Sequence, residues 1–177
     1  YNVRFGDAIL VTVPERNQSG REEKHHILID VGNVLSGGGG DDTVFEPVIK
    51  DIHRELDGQP LDLYVMTHEH LDHVQGLPLA QKQGLPLFST SNAWLTASSE
   101  PNYYSRHTKA EKRRRAAQAS YHEIEFMVKA LAEPVPVQLQ SMLLNNNPGE
   151  TTTCVDFLRT LAKTTTYVYQ GCNIENK

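Results

Sequence analysis

Cysteine is scarce in this chain: Cys154 and Cys172 are the only two among 177 residues. Two thiols build neither a disulfide scaffold nor a thiolate zinc site by themselves. Long apolar runs are missing too. No stretch approaches the ~20 apolar residues that a membrane helix needs, so no membrane association is expected. There is no Gly-x-Ser-x-Gly elbow and no phosphate-cradling P-loop, so the usual serine-nucleophile and nucleotide-binding signatures are excluded. No leader segment is visible, and with so few cysteines a cytoplasmic location is expected. The chain opens at Tyr1 as if already inside a structural element, and it is expected to be part of a larger domain.

What is present is the composition of a globular domain, 38% hydrophobic and 22% charged. The net charge of −5 is unevenly spread. Residues 106–118 hold six cations (Arg106, Lys109, Lys112, Arg113, Arg114 and Arg115) against Glu111 alone. Such a run is either a solvated helix face or a contact for a phosphate backbone, with Arg113, Arg114 and Arg115 the candidate nucleic-acid contacts.

Apolar patterning predicts alternating strands and helices. Residues 8–13 and 25–31 read as strands around a polar hairpin loop. A glycine run, Gly37 to Gly40, follows in a connector. Ile49, Ile52 and Leu56 mark an amphipathic helix over 44–56, opened by a capping box at Thr43. Residues 61–66 form a strand, 71–83 a short helix, and 85–89 a further strand. A long helix over 104–132 carries the apolar stripe Ala117, Tyr121, Ile124, Val128 and Leu131. Asn145 to Gly149 reads as a turn, Thr153 as the start of another helix, and 165–170 as a last strand. The class is α/β or α+β, in a single domain over 1–177, with 90–150 mainly a helical insertion.

The segment with the most chemistry is Thr67-His68-Glu69-His70-Leu71-Asp72-His73. In extended backbone, residues two apart point the same way, so His68 and His70 converge on one ion. A helix starting near Leu71 places Asp72 and His73 in its first turn, aimed at the same pocket or at a second ion beside it. Imidazole with carboxylate suits zinc, and also iron or manganese. The other five histidines (His25, His26, His53, His107 and His122) lie at positions that do not suggest ligands.

Strand, then His-x-His-x-Asp-His, then Gly76, resembles the signature of the metallo-β-lactamase fold superfamily. Ile27 to Gly32, with Asp30 closing a buried strand, is similar to that family's first motif. Gly6-Asp7-Ala8 resembles the opening of the competence-type, DNA-uptake-associated branch. The resemblance covers residues 2–90. It implies an αββα sandwich, of which this chain holds the N-terminal part. It implies that His68 and His70 bind a first metal and that Asp72 and His73 bind a second. Asp72 would also orient the attacking water, and Asp30 would support the metal-binding loop from behind. The family's remaining ligands have no counterpart in this chain.

The resemblance further implies hydrolysis by a metal-bound hydroxide, with two ions, Zn2+ in the first instance and Mn2+ or Fe as alternatives. Phosphoester or nucleic-acid substrates are one expectation. Carbonyl substrates (a thioester, lactone or β-lactam) are the alternative, because the superfamily's fold does not choose between them. A non-catalytic metal-binding or interaction module is the competing reading.

Overall fold

The computed structural model describes residues 1–33, 42–131 and 134–172. The glycine run Gly37–Gly40 lies outside the described residues. The fold is α+β: one five-stranded mixed sheet and seven α-helices among the described residues. The strands are β1 (Ala8–Arg16), β2 (Glu22–Val31), β3 (Leu61–Val65), β4 (Thr90–Thr96) and β5 (Ala162–Val168), in spatial order β1-β2-β3-β4-β5. β1 and β2 pair antiparallel, and the remaining neighbours pair parallel. Pro14 is tolerated inside β1 because that strand is an edge.

The helices are α1 (Phe45–Leu56), α2 (Leu71–Val74), α3 (Gly76–Lys82), α4 (Tyr103–Arg106), α5 (Thr108–Lys129), α6 (Val137–Asn145) and α7 (Pro148–Arg159). One sheet face carries the core. Leu28, Tyr64 and Ala93 lie side by side across β2, β3 and β4 and are fully buried. Against them pack Phe45, Ile49, Ile52 and Leu56 of α1, Leu77 of α3, and Val155 and Leu158 of α7. Each such side chain removed from water contributes about 1.5–3 kcal/mol. The α1 stripe is the one expected from spacing. The N-cap lies one residue later than expected: α1 follows a 3-10 turn, Asp42–Val44, and its N-cap is Val44, which has no polar side chain to cap with.

The other sheet face is different. Ile9, Val11 and Val13 are exposed, and their cross-strand neighbours Ile27, Ile29, Leu63, Val65 and Trp94 are only half-buried. Alternation places all eight on the face opposite the core.

Several boundaries depart from the sequence expectation. Strand 85–89 is absent, and the strand lies at Thr90–Thr96 instead. Pro86 has no N–H to give a ladder, whereas Thr90 to Thr96 pairs on both sides. The helical stretch placed at 90–150 therefore starts after β4. Helix α6 was not anticipated. The long helix expected over 104–132 is split into α4 and α5 and ends at Lys129; α5 buries no residue, and of the expected stripe Ile124 is exposed, as is Leu131 beyond the helix. Its stripe leans on neighbours without being covered. No helix among the described residues is long and apolar enough to cross a membrane.

Candidate metal centre

The site forms where β2 and β3 end side by side. β3 runs apolar to Val65, Met66 continues it, and Thr67 to His70 leave the sheet before α2 begins at Leu71. Two glycines let this loop sit against the end of β2. A Cβ on Gly32 would lie 2.2 Å from the Asp72 carbonyl carbon, and one on Gly6 would lie 2.6 Å from the Asp72 oxygen. Backbone bonds hold the contact: Asp7 N–H donates to the Asp72 carbonyl at 3.1 Å, and Gly32 N–H donates to the Asp7 carbonyl at 2.9 Å. The side chain of Asn145, at the end of α6, accepts from Asp72 N–H at 2.8 Å.

His68, Asp72 and His73 come together, with one ligand atom from each lying within 4.8 Å of the others. The ring centroids of His68 and His73 are 3.8 Å apart. His70 corrects the expectation of convergence with His68. It is exposed, its ring centroid lies 4.8 Å from that of His68, and it is not part of the mutually close group. It is the N-cap residue of α2, and the chain bends at Glu69 just before it, which breaks the alternation that would have aligned it with His68.

Asp30 lies at the end of β2 and is 2% exposed. Its backbone is left-handed, with φ of 52°, a conformation that Asp tolerates better than most residues. Its Oδ1 accepts from Thr67 N–H at 2.9 Å, and its Oδ2 accepts from Thr67 Oγ1–H at 2.5 Å. The same Oδ2 accepts from His73 Nδ1–H at 2.9 Å. Because the Thr67 hydroxyl spends its proton on Asp30, its oxygen is left to accept from His68 Nδ1–H at 3.0 Å. One buried carboxylate thus orients two imidazoles, one directly and one through Thr67. Both then present Nε2 lone pairs, the form in which histidine binds a metal. Asp30 was expected to support the loop. The relay through Thr67 was missed, because a threonine before a histidine has no spacing signal that separates a relay from ordinary strand chemistry.

Electrostatics favour the same form. Burial holds the His68 pKa below its ordinary value, and the positive charges that His73 and His70 would carry lower it further. Among the described residues Asp72 Oδ1 is buried without a hydrogen-bond partner, while His73 Nε2 lies 3.7 Å away, beyond hydrogen bonding. A buried carboxylate oxygen with no donor is costly, and a cation at that point would satisfy it. The donor set therefore fits a divalent metal: two imidazole nitrogens and a carboxylate, without thiolates.

A cavity of about 670 Å3 opens beside His68 and His70. Its walls include Tyr103, Tyr104, Arg114 and Tyr121, and Glu69 lies on the histidine side. Glu69 points away from the ligands, and its Oε1 accepts from Thr96 Oγ1–H at 2.7 Å and Ser98 Oγ–H at 2.6 Å. The loop is thereby tied to the end of β4. Tyr121, on the stripe expected to be core, faces this cavity and is half-buried. Trp94 lies elsewhere, on the open face of β4.

The basic run divides in the structure. Glu111 pairs with Arg114 at 2.7 Å and with Arg115 at 2.6 Å. Arg113 and Arg114 border a second cavity, of about 800 Å3, and Arg115 does not. Comparison with known proteins finds no match to a family model, to a curated protein or to a solved structure.

Proposed function

We propose that this protein is a metal-dependent hydrolase of the metallo-β-lactamase kind. The observation that carries the reading is Asp72 Oδ1, a buried carboxylate oxygen without a hydrogen-bond partner among the described residues, set among imidazoles whose Nδ1 atoms are already engaged. His68 and His73 would hold the metal through Nε2 and Asp72 through a carboxylate oxygen, while His70 stands beside this group and outside it. A bound divalent ion lowers the pKa of coordinated water from 15.7 toward about 7 and polarises the scissile bond.

The chain's own residues do the rest. Asp30 fixes the orientation of His73 and, through Thr67, that of His68. Asp72 has a second carboxylate oxygen with which to orient a water for attack. The cavity beside His68 and His70 receives the substrate next to that water. Zinc is the ion that the donor set suits first, with manganese and iron as alternatives. The open apolar sheet face supports the expectation that a complete domain of this kind has a further layer on it, which in the αββα sandwich is a second sheet.

The test is a zinc and manganese titration by calorimetry. Turnover of a generic phosphodiester and of a thioester is then assayed with each metal present. Stoichiometric binding is expected for the native chain, with loss of binding in Asp72→Ala at unchanged far-UV circular dichroism. Turnover of one ester assigns the bond. Binding without turnover of either would favour a non-catalytic metal-binding module. No binding by the native chain would sink the proposal.

A further inference from the structure

The two cavities share Ser98, Tyr103, Tyr104, Arg114 and Ala117, so they adjoin along these residues as two reaches of one surface trough. One end is bordered by His68 and His70. The other is bordered by Arg106, Lys109, Arg113 and Arg114, with no carboxylate in its lining. Tyrosine rings stand between the two ends. The protein as a whole is acidic, so this concentration of cations is local.

We propose that this trough is a binding track for single-stranded nucleic acid, which carries a backbone phosphate to the histidine cluster. Three features select that ligand. First, the cations at the distal end differ in availability. Arg106 pairs with Glu100 and Arg114 with Glu111, but Lys109 and Arg113 form no ion pair among the described residues. Those two are one helical turn apart on α5, so they face the same way and offer two neighbouring phosphate contacts.

Second, planar groups line the middle of the track. The guanidinium carbon of Arg114 lies 4.3 Å over the Tyr104 ring, and the Tyr103 ring lies 4.3 Å from the His107 ring at an interplanar angle of 33°. Aromatic and guanidinium planes are the platforms on which unpaired bases stack. Third, a duplex keeps its base faces stacked internally and cannot use such platforms. An acidic peptide or polysaccharide has no flat bases for them either.

The place of the reacting phosphate rests on the metallo-hydrolase reading above. The track itself does not, so binding is measured on metal-free protein in EDTA. The probe is a fluorescein-labelled single-stranded oligonucleotide of about 12 nucleotides, within the usual site sizes for such grooves. The same sequence as a duplex, and heparin, serve as comparison ligands. The single strand is expected to bind at least tenfold tighter than the duplex.

Lys109→Glu with Arg113→Glu should weaken binding at least tenfold and flatten the salt slope by about 1.4, two single-strand phosphate contacts at ~0.7 each. Tyr104→Ala should weaken it about tenfold at an unchanged slope. All three positions are on exposed or half-buried surface, and circular dichroism checks that the variants are folded. Equal binding of duplex or heparin would overturn the single-strand assignment. An unaffected double variant would overturn the track. Neither result depends on whether the protein binds metal or turns over an ester, so failure here and failure of the hydrolase reading are separable.

Discussion

At the scale of single residues, the site is organised from behind the ligands. Asp30 accepts three hydrogen bonds, two from Thr67 and one from His73. Partners that orient metal-binding imidazoles are worth about 10- to 100-fold in metal affinity. Asp30→Ala should therefore weaken zinc binding by about that factor, measured by competition with a chromophoric chelator. The fold should also lose about 1–3 kcal/mol, because Thr67 N–H and His73 Nδ1–H lose their acceptor. Unchanged affinity would mean that the histidines are oriented by packing alone.

Asp30 was legible only through the resemblance of Ile27 to Gly32 to a known motif in which an aspartate closes a buried strand. The close approach of Gly6 and Gly32 to Asp72 was not. It joins segments about forty residues or more apart, and nothing local in either segment signals the other. The separation of His70 from the group was hidden for a related reason. Alternation applies while the backbone stays extended, and the chain bends at Glu69, between the two histidines.

At the scale of elements, α7 shows how local signals compete. The Asn145 to Gly149 segment has turn composition, yet Asn147 is an N-cap. Its side-chain oxygen accepts from Gly149 N–H at 3.0 Å and Glu150 N–H at 3.3 Å, with Pro148 in the first turn. Asparagine followed by proline suits a helix start as well as a turn, and the apolar spacing of Val155 and Leu158 against the sheet decides for the helix. Asn147→Ala should cost about 1 kcal/mol of stability, read as a lower urea midpoint at unchanged slope. A midpoint unmoved by the substitution would show that burial of α7 sets its start without the cap. The same joint matters to the site, because Asn145, two residues earlier, holds the Asp72 backbone N–H.

The elements that spacing placed well, α1 and β1 to β3, are those whose apolar residues meet the core directly. Of the poorly placed ones, α6 and the α5 stripe lie where apolar residues face cavities or solvent, whereas Leu85, Leu87 and Phe88 pack on the core without joining the sheet. There a periodic pattern no longer reports burial.

At the scale of the molecule, the sheet has two apolar faces and helices on one of them. Leu28 on the covered face is fully buried, while Val11, on the neighbouring strand and the opposite face, is 37% exposed. Both are aliphatic and both lie within regular ladders, so sequence alone treats them alike. Their energetics should differ sharply. Leu28→Ala removes atoms from a packed interior and should cost about 2–5 kcal/mol, including the cavity left behind. Val11→Thr keeps the β-branch and the strand preference, and on an open face it should change stability by less than about 0.5 kcal/mol. Urea denaturation of the two variants beside the native chain makes the comparison. If Val11→Thr costs as much as a core substitution, the open face is covered in solution, and the layer on it is part of the folding unit. If the two differ as expected, the described chain stabilises itself from one side of its sheet. The metal loop, which hangs from the ends of β2 and β3, is then held by that single core together with the Gly6, Gly32 and Asn145 contacts.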